Sequence, residues 1–229
     1  MVPPSERVRP PLTRYEDLAQ MIDHSLVRLE LTDDDVIAGC HLARRYGVAG
    51  ASVRPCDIEL ALRELQGSSV KVGSVAGFPH GSSTTAVKLY EARDALRRGA
   101  REIDMVLNIA RLRSRQFQYV ESELLQMADA CHKEGALLKV IFESAWLTDE
   151  LKIVACRISV RAGVDFACGA APQDLRLMCA HLPESIGLKA ADVSTLEQAK
   201  EVYAAGGTRF GSTATAAILD AWKGELNPA

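Results

Sequence analysis

Apolar positions along the chain follow two alternating patterns. Short, β-prone runs recur at Met21–Val27, Ala49–Arg54, Lys71–Phe78, Glu102–Asn108, Leu137–Glu143, Asp165–Ala170, Ile186–Ala191 and Arg209–Thr213. Between them lie longer stretches with helical spacing, such as Thr84–Gly99 and Thr148–Gly163. In the first of these, Ala86, Leu89, Tyr90, Ala92, Ala95 and Leu96 fall on roughly one helical face. The repeat averages about 27 residues, enough for a strand, a helix and two turns. Gly47, Gly99, Gly135, Gly163 and Gly206 each stand just before the next run, where a helix C-terminus favours glycine. Thr32 followed by three Asp predicts a helix start by capping and by charge, and Ser194-x-x-Glu197 reads as a capping box.

Strict alternation of strand and helix calls for a parallel sheet covered by helices. Eight units predict closure into a (β/α)8 TIM barrel, and no G-x-G-x-x-G follows the first strand to favour an open dinucleotide-binding sheet. The predicted organisation is a flexible Pro-rich extension over 1–12, a single barrel domain over 13–223 and a C-terminal tail over 224–229. In such a barrel, chemistry belongs at the C-terminal ends of the strands.

Strands of a parallel barrel are buried on both faces, so charges within them stand out. Asp104 lies in the fourth run, Lys139 and Glu143 in the fifth, Lys189 in the seventh, and Asp23 and His24 in the first. Two-residue periodicity places Lys139, Ile141 and Glu143 on one face. A buried charge survives only where it is paired or used. One reading makes each of these an ordinary ion pair or a solvated strand end. The other takes two lysines converging with a carboxylate as amine chemistry: a second ammonium and a desolvated pocket lower a lysine pKa and leave an amine able to attack a carbonyl. Asp104 would then shuttle the protons. After the eighth strand, Gly211-Ser-Thr213 leads into a helix. It reads equally as a phosphate cradle and as a plain N-cap.

Composition narrows the partners. With 27 Lys+Arg against 30 Asp+Glu and 5% aromatic residues, no basic patch or stacking platform points to nucleic acid. No run approaches the ~18 apolar residues of a membrane span, and the first twelve residues carry four prolines and no apolar core, unlike a signal peptide. The six cysteines show no metal-ligand spacing and read as reduced, mostly buried thiols of a cytoplasmic protein. No metal and no cofactor is expected.

The chain resembles the deoxyribose-phosphate aldolase family from about Asp23 to Leu219. The resemblance is carried by Ile22-Asp-His-Ser-Leu26, Val75-Ala-Gly-Phe-Pro79, Glu102-Ile-Asp-Met-Val106, Leu138-Lys-Val-Ile141 with Glu143, Leu147-Thr-Asp-Glu150, Ala162-Gly-Val-Asp-Phe166, Gly187-Leu-Lys189 and Arg209-Phe-Gly211. It implies a (β/α)8 lyase that joins acetaldehyde and glyceraldehyde 3-phosphate reversibly, through a lysine imine and a proton-relaying Asp–Lys pair, without a metal. By motif, Asp104 and Lys189 match the relay and Lys139 the family's fifth-strand lysine, with Asp23, Glu143 and Cys168 expected against substrate and Gly211, Ser212 and Thr213 against phosphate. A homodimer is also implied.

Two departures accompany the resemblance. Cys168 occupies the position of the imine-forming lysine, and the Thr-Ser-Thr-Gly loop that follows it in the family is absent. After Lys189 the family's Ser-Gly-Gly becomes Ala191-Asp192, a carboxylate that repels phosphate unless it turns away to cap the next helix. Three readings follow. The chain is a lyase of altered or reduced activity whose amine is Lys139 or Lys189, acting on deoxyribose 5-phosphate or a related small sugar or aldehyde. Alternatively it is an inactive homologue that binds a small aldehyde or sugar phosphate as a binding or regulatory protein. A third reading has Cys168 attack a carbonyl, with a lysine depressing its pKa.

Overall fold

The computed structural model describes residues 10–227. Eight parallel strands lie inside the eight predicted runs: β1 (Ile22–Leu26), β2 (Gly50–Val53), β3 (Lys71–Ala76), β4 (Glu102–Val106), β5 (Leu137–Ile141), β6 (Phe166–Gly169), β7 (Gly187–Ala190) and β8 (Arg209–Ser212). Each pairs with its neighbours in sequence, and β8 closes on β1 through Ile22–Phe210 and Asp23–Gly211, giving a (β/α)8 barrel. The helices are α1 (Tyr15–Ala19), α2 (Asp33–Tyr46), α3 (Ile58–Glu64), α4 (Thr85–Arg98), α5 (Ile109–Arg113), α6 (Phe117–Lys133), α7 (Asp149–Ala162), α8 (Pro172–Cys179), α9 (Leu196–Ala204) and α10 (Thr215–Leu226).

Alternation along each strand sends one set of side chains into the barrel and the other outward. The outward set (Ile22, Leu26, Ile103, Met105, Leu138, Val140, Leu188 and Phe210 among them) is buried with the inner faces of the helices in one continuous core. The five predicted glycine stops all have positive φ, the conformation that ends a helix at least cost for a residue without a Cβ. Thr32 caps α2, accepting from the Asp35 N–H, while Asp35 accepts from the Thr32 N–H at 2.8 Å.

Two local expectations are corrected. The capping residue of α9 is Thr195, which accepts from the Gln198 N–H, and Ser194 donates to the Gln198 side chain; the pattern is shifted by one residue from Ser194-x-x-Glu197. Both registers satisfy the same spacing, and the helix takes the one that turns Leu196 and Ala199 into the core. The buried face of α4 is Lys88, Ala92, Ala95 and Leu96, whereas Ala86 and Tyr90 are exposed. Lys88 is buried because its ammonium donates to the Val106 carbonyl (2.8 Å) and to Glu123 (2.9 Å), a pairing across elements that hydropathy does not register.

Of the predicted extension, residues 1–9 lie outside the described residues. Leu12 packs against the core and the Tyr203 hydroxyl donates to the Pro10 carbonyl. At the other end α10 runs past 223 to Leu226, and residues 228–229 lie outside the described set. No helix among the described residues is long and apolar enough to cross a membrane.

His24 sits on the outward face of β1, 5% exposed, with Nδ1 2.9 Å from the Thr215 hydroxyl. Burial pushes its pKa down from 6.5 to about 4, opposed by a hydrogen bond with the Ser212 backbone. The unfolded chain therefore takes up this proton near pH 6.5 and the folded chain only near pH 4. Stability supplied by neutral His24 is complete above pH 6.5 and is lost as the pH falls toward 4, by at most about 3 kcal/mol. Urea unfolding at pH 7.5 and 4.5 should show this loss, and a His24→Gln variant should show less of it. Parallel losses in both proteins would exclude His24 as the source.

Candidate active site

The inward set of side chains builds a closed electrostatic network on the barrel axis. Lys139 of β5, fully buried, donates to Asp23 (2.6 Å) and Glu102 (2.5 Å) and lies 4.0 Å from Asp104. Lys189 of β7 donates to Asp23 (2.8 Å) and to both oxygens of Asp104 (3.2 and 3.1 Å). Arg209 of β8 reaches Asp23 (3.1 Å) and Glu102 (2.5 Å). Ser52 of β2 donates to Asp104 at 3.1 Å. Three carboxylates thus face three cations. Gly50 leaves the space for them, since a Cβ there would stand 3.0 Å from an Asp23 oxygen and 3.2 Å from a Glu102 oxygen. Below, the Phe166 ring covers Gly187 and lies 5.9 Å from the Lys139 ammonium and 5.7 Å from the Arg209 guanidinium.

Above the network, at the C-terminal ends of the strands, opens a cavity of about 340 Å³. Asp23, Asp104, Glu143, Cys168 and Lys189 all line it, together with Ser25, Ser52, Phe78 and Gly211. The structure therefore gathers five of the residues singled out in the sequence on one wall system. Lys139 is not among them: it lies beneath, enclosed by Asp23 and Glu102. Of the predicted phosphate residues, only Gly211 lines the cavity. The Ser212 hydroxyl is buried on the other face of β8 and accepts from the Ala214 N–H (2.9 Å), and Thr213 is exposed outside the lining.

Asp192 lines the cavity with left-handed backbone (φ 53°) and takes no part in capping α9, whose cap is Thr195. Sequence reasoning passed over Glu102 and Arg209. Each stands two residues before a residue that lines the cavity, Asp104 and Gly211, so period-two alternation puts both on the inward face.

The charge states differ from the expectation of a neutral amine. Burial pushes the Lys189 ammonium toward neutrality, but Asp104 and Asp23 overcome it and raise its pKa above the ordinary lysine value. Burial likewise opposes ionisation of Asp23, and Lys139, Lys189 and Arg209 reverse it, holding this carboxyl well below the usual range. The correction has a simple cause: the second ammonium is outnumbered by carboxylates in direct contact.

Cys168 is also corrected. Burial raises its pKa to about 12; Lys189 pulls down and Asp104 pushes up, so no lysine depresses it into the range of a reactive thiolate. Cys56 is exposed, whereas Cys168 is buried. Iodoacetamide at pH 7.5 should label Cys56 well before Cys168, followed by peptide mass mapping. Rapid labelling of Cys168 would restore the thiol as a nucleophile.

Among the described residues no group of His, Cys, Asp and Glu is arranged to hold a metal ion. No protein-family model matches the chain. It is 39% identical over 217 residues to the deoxyribose-phosphate aldolase of Caldanaerobacter subterraneus subsp. tengcongensis, covering 90% of this chain and 94% of that one. With the Clostridium perfringens enzyme of the same name it shares 39% over 214 residues, covering 90% and 95%. In structure it is similar to the tetrameric deoxyribose phosphate aldolase of Aeropyrum pernix, with a TM-score of 0.85, 28% identity and 92% coverage of both chains. Near-complete coverage of both relatives, at this identity and on the same barrel, places the chain in the deoxyribose-phosphate aldolase family.

Proposed function

We propose that this protein is an aldehyde-lyase of the deoxyribose-phosphate aldolase type, slowed because Cys168 stands where the family places its imine-forming lysine. The observation that carries this reading is Lys189: among the described residues it is the one lysine lining the cavity, and it touches Asp104 at 3.1 Å. The substrate is 2-deoxyribose 5-phosphate or a related small sugar, cleaved to acetaldehyde and a second aldehyde.

In this reading Lys189 first gives a proton to Asp104. Its nitrogen then adds to the carbonyl carbon, one N–H proton passes to the carbonyl oxygen to make a hydroxyl, and the protonated Asp104 returns its proton to that hydroxyl, which leaves as water to give an iminium. Asp104, again a carboxylate, takes the β-hydroxyl proton, the carbon–carbon bond breaks, its electrons move into the iminium to form an enamine, and the β-carbon leaves as the second aldehyde. Reprotonation and hydrolysis of the enamine release acetaldehyde and the free amine. The first step is the uphill one, because Asp104 and Asp23 favour the ammonium.

A second reading, reversible binding without turnover, is supported by the same ammonium. Held as a cation, Lys189 donates hydrogen bonds to a carbonyl or hydroxyl oxygen and forms no covalent bond. Borohydride with acetaldehyde or deoxyribose 5-phosphate separates the two. The lyase reading expects a covalent mass gain mapping to Lys189, with a trapping rate that changes little between pH 7 and 9, because the ammonium's proton passes to Asp104 and not to solvent. No adduct at any pH, with a ligand-dependent rise in Tm, would establish binding alone.

A further inference from the structure

The charged side chains buried in this molecule answer one another: Asp23 and Glu102 with Lys139, Asp104 with Lys189, and Glu123 with Lys88. Among the described residues two buried side-chain oxygens have no hydrogen-bond partner, those of Ser144 and Ser159. Ser159 lies in the helical layer, on α7. Ser144 lines the cavity, although the residue is only 2% exposed. A buried hydroxyl without a partner costs stability, and a ligand group that supplies the partner recovers it.

The backbone brings Ser144 to that wall. Ile141 lines the cavity and Phe142 is fully buried in the outer core, as alternation along β5 requires. The Phe142 N–H donates to the Cys168 carbonyl at 3.1 Å, so the ends of β5 and β6 stay tied to this point. Glu143 then takes left-handed backbone (φ 48°), and a single 3-10 turn follows over Ser144–Trp146. Alternation breaks there, and Glu143 and Ser144 line the cavity in succession. Register through β6 matches Lys189 with Cys168 and Cys168 with Ile141, three positions before Ser144, so Ser144 lies nearer the mouth than Lys189. A substrate whose carbonyl carbon meets Lys189 therefore carries its far carbons past Ser144. A serine hydroxyl both donates and accepts, which suits a substrate hydroxyl, and the adjoining Glu143 carboxylate disfavours an anionic group at that place.

We propose that Ser144 is a specificity-determining residue whose hydroxyl hydrogen-bonds a substrate hydroxyl carried beyond the β-carbon, on the half that leaves as the second aldehyde. The assignment rests on the reading of the cavity as the place where the carbonyl meets Lys189, and it names the group by which a more hydroxylated aldehyde is told from a plainer one.

Chemical-shift titration with 3,4-dihydroxybutanal and 3-hydroxybutanal, which differ by one hydroxyl beyond the β-carbon, tests it. The ratio of their half-saturating concentrations is the readout, so imine formation, common to both, cancels; borohydride trapping at Lys189 reports separately on the lyase reading. The unaltered protein should bind the dihydroxy compound about fivefold more tightly, the scale of one neutral hydrogen bond. Ser144→Ala should lose that preference, while the Tm of the free variant stays unchanged or rises, because no partner is lost. Ser159→Ala should keep the preference. Binding of neither compound, no preference in the unaltered protein, a preference that survives in Ser144→Ala or is lost in Ser159→Ala, or a Tm lowered by several degrees in Ser144→Ala would overturn the assignment.

Discussion

A closed barrel has no solvent inside it, so every charge that the strands send inward must find its opposite there. Asp23 is the centre of that constraint. It touches Lys139, Lys189 and Arg209, which come from three other strands, and Glu102 and Asp104 complete the balance. Removing any one member leaves a partner buried and unpaired, which costs about 3–5 kcal/mol for a buried pair. The network thus ties the register of five strands to one electrostatic condition, and Gly50 and the Phe166 ring supply the space and the floor it needs.

The same condition decides the chemistry above it. With three carboxylates already matched by three cations, a lysine at position 168 would be a fourth cation, and repulsion from Lys189 would leave it neutral. The amine left in the cavity, Lys189, is one of the balancing cations and keeps its proton. The burial that suits the Cys168 thiol among the strands also opposes its ionisation.

Much of this was legible before any coordinates. The eight apolar runs contain the eight strands, the glycine stops end or follow their helices, and Asp23, Asp104, Glu143, Cys168 and Lys189 meet at one cavity. What escaped did so for identifiable reasons. Lys88 was not recognised as a core residue because its partner Glu123 lies on another helix. Thr195 and Ser194 both satisfy the capping spacing, and only the packing of α9 chooses between them. Ser212 belongs to the expected phosphate motif, yet its position on β8 turns it outward.

The sequence by itself determined the barrel and the strand ends where chemistry is sited, because period-two and helical patterns are local properties that survive in one dimension. Only the tertiary structure decided charge states and access. Whether Lys139 or Lys189 meets the cavity depends on depth along the barrel axis, and whether Lys189 is an amine or an ammonium depends on how many carboxylates from other strands lie within 4 Å. Those are distances between residues up to 166 positions apart in the chain, as with Asp23 and Lys189, and no local pattern encodes them.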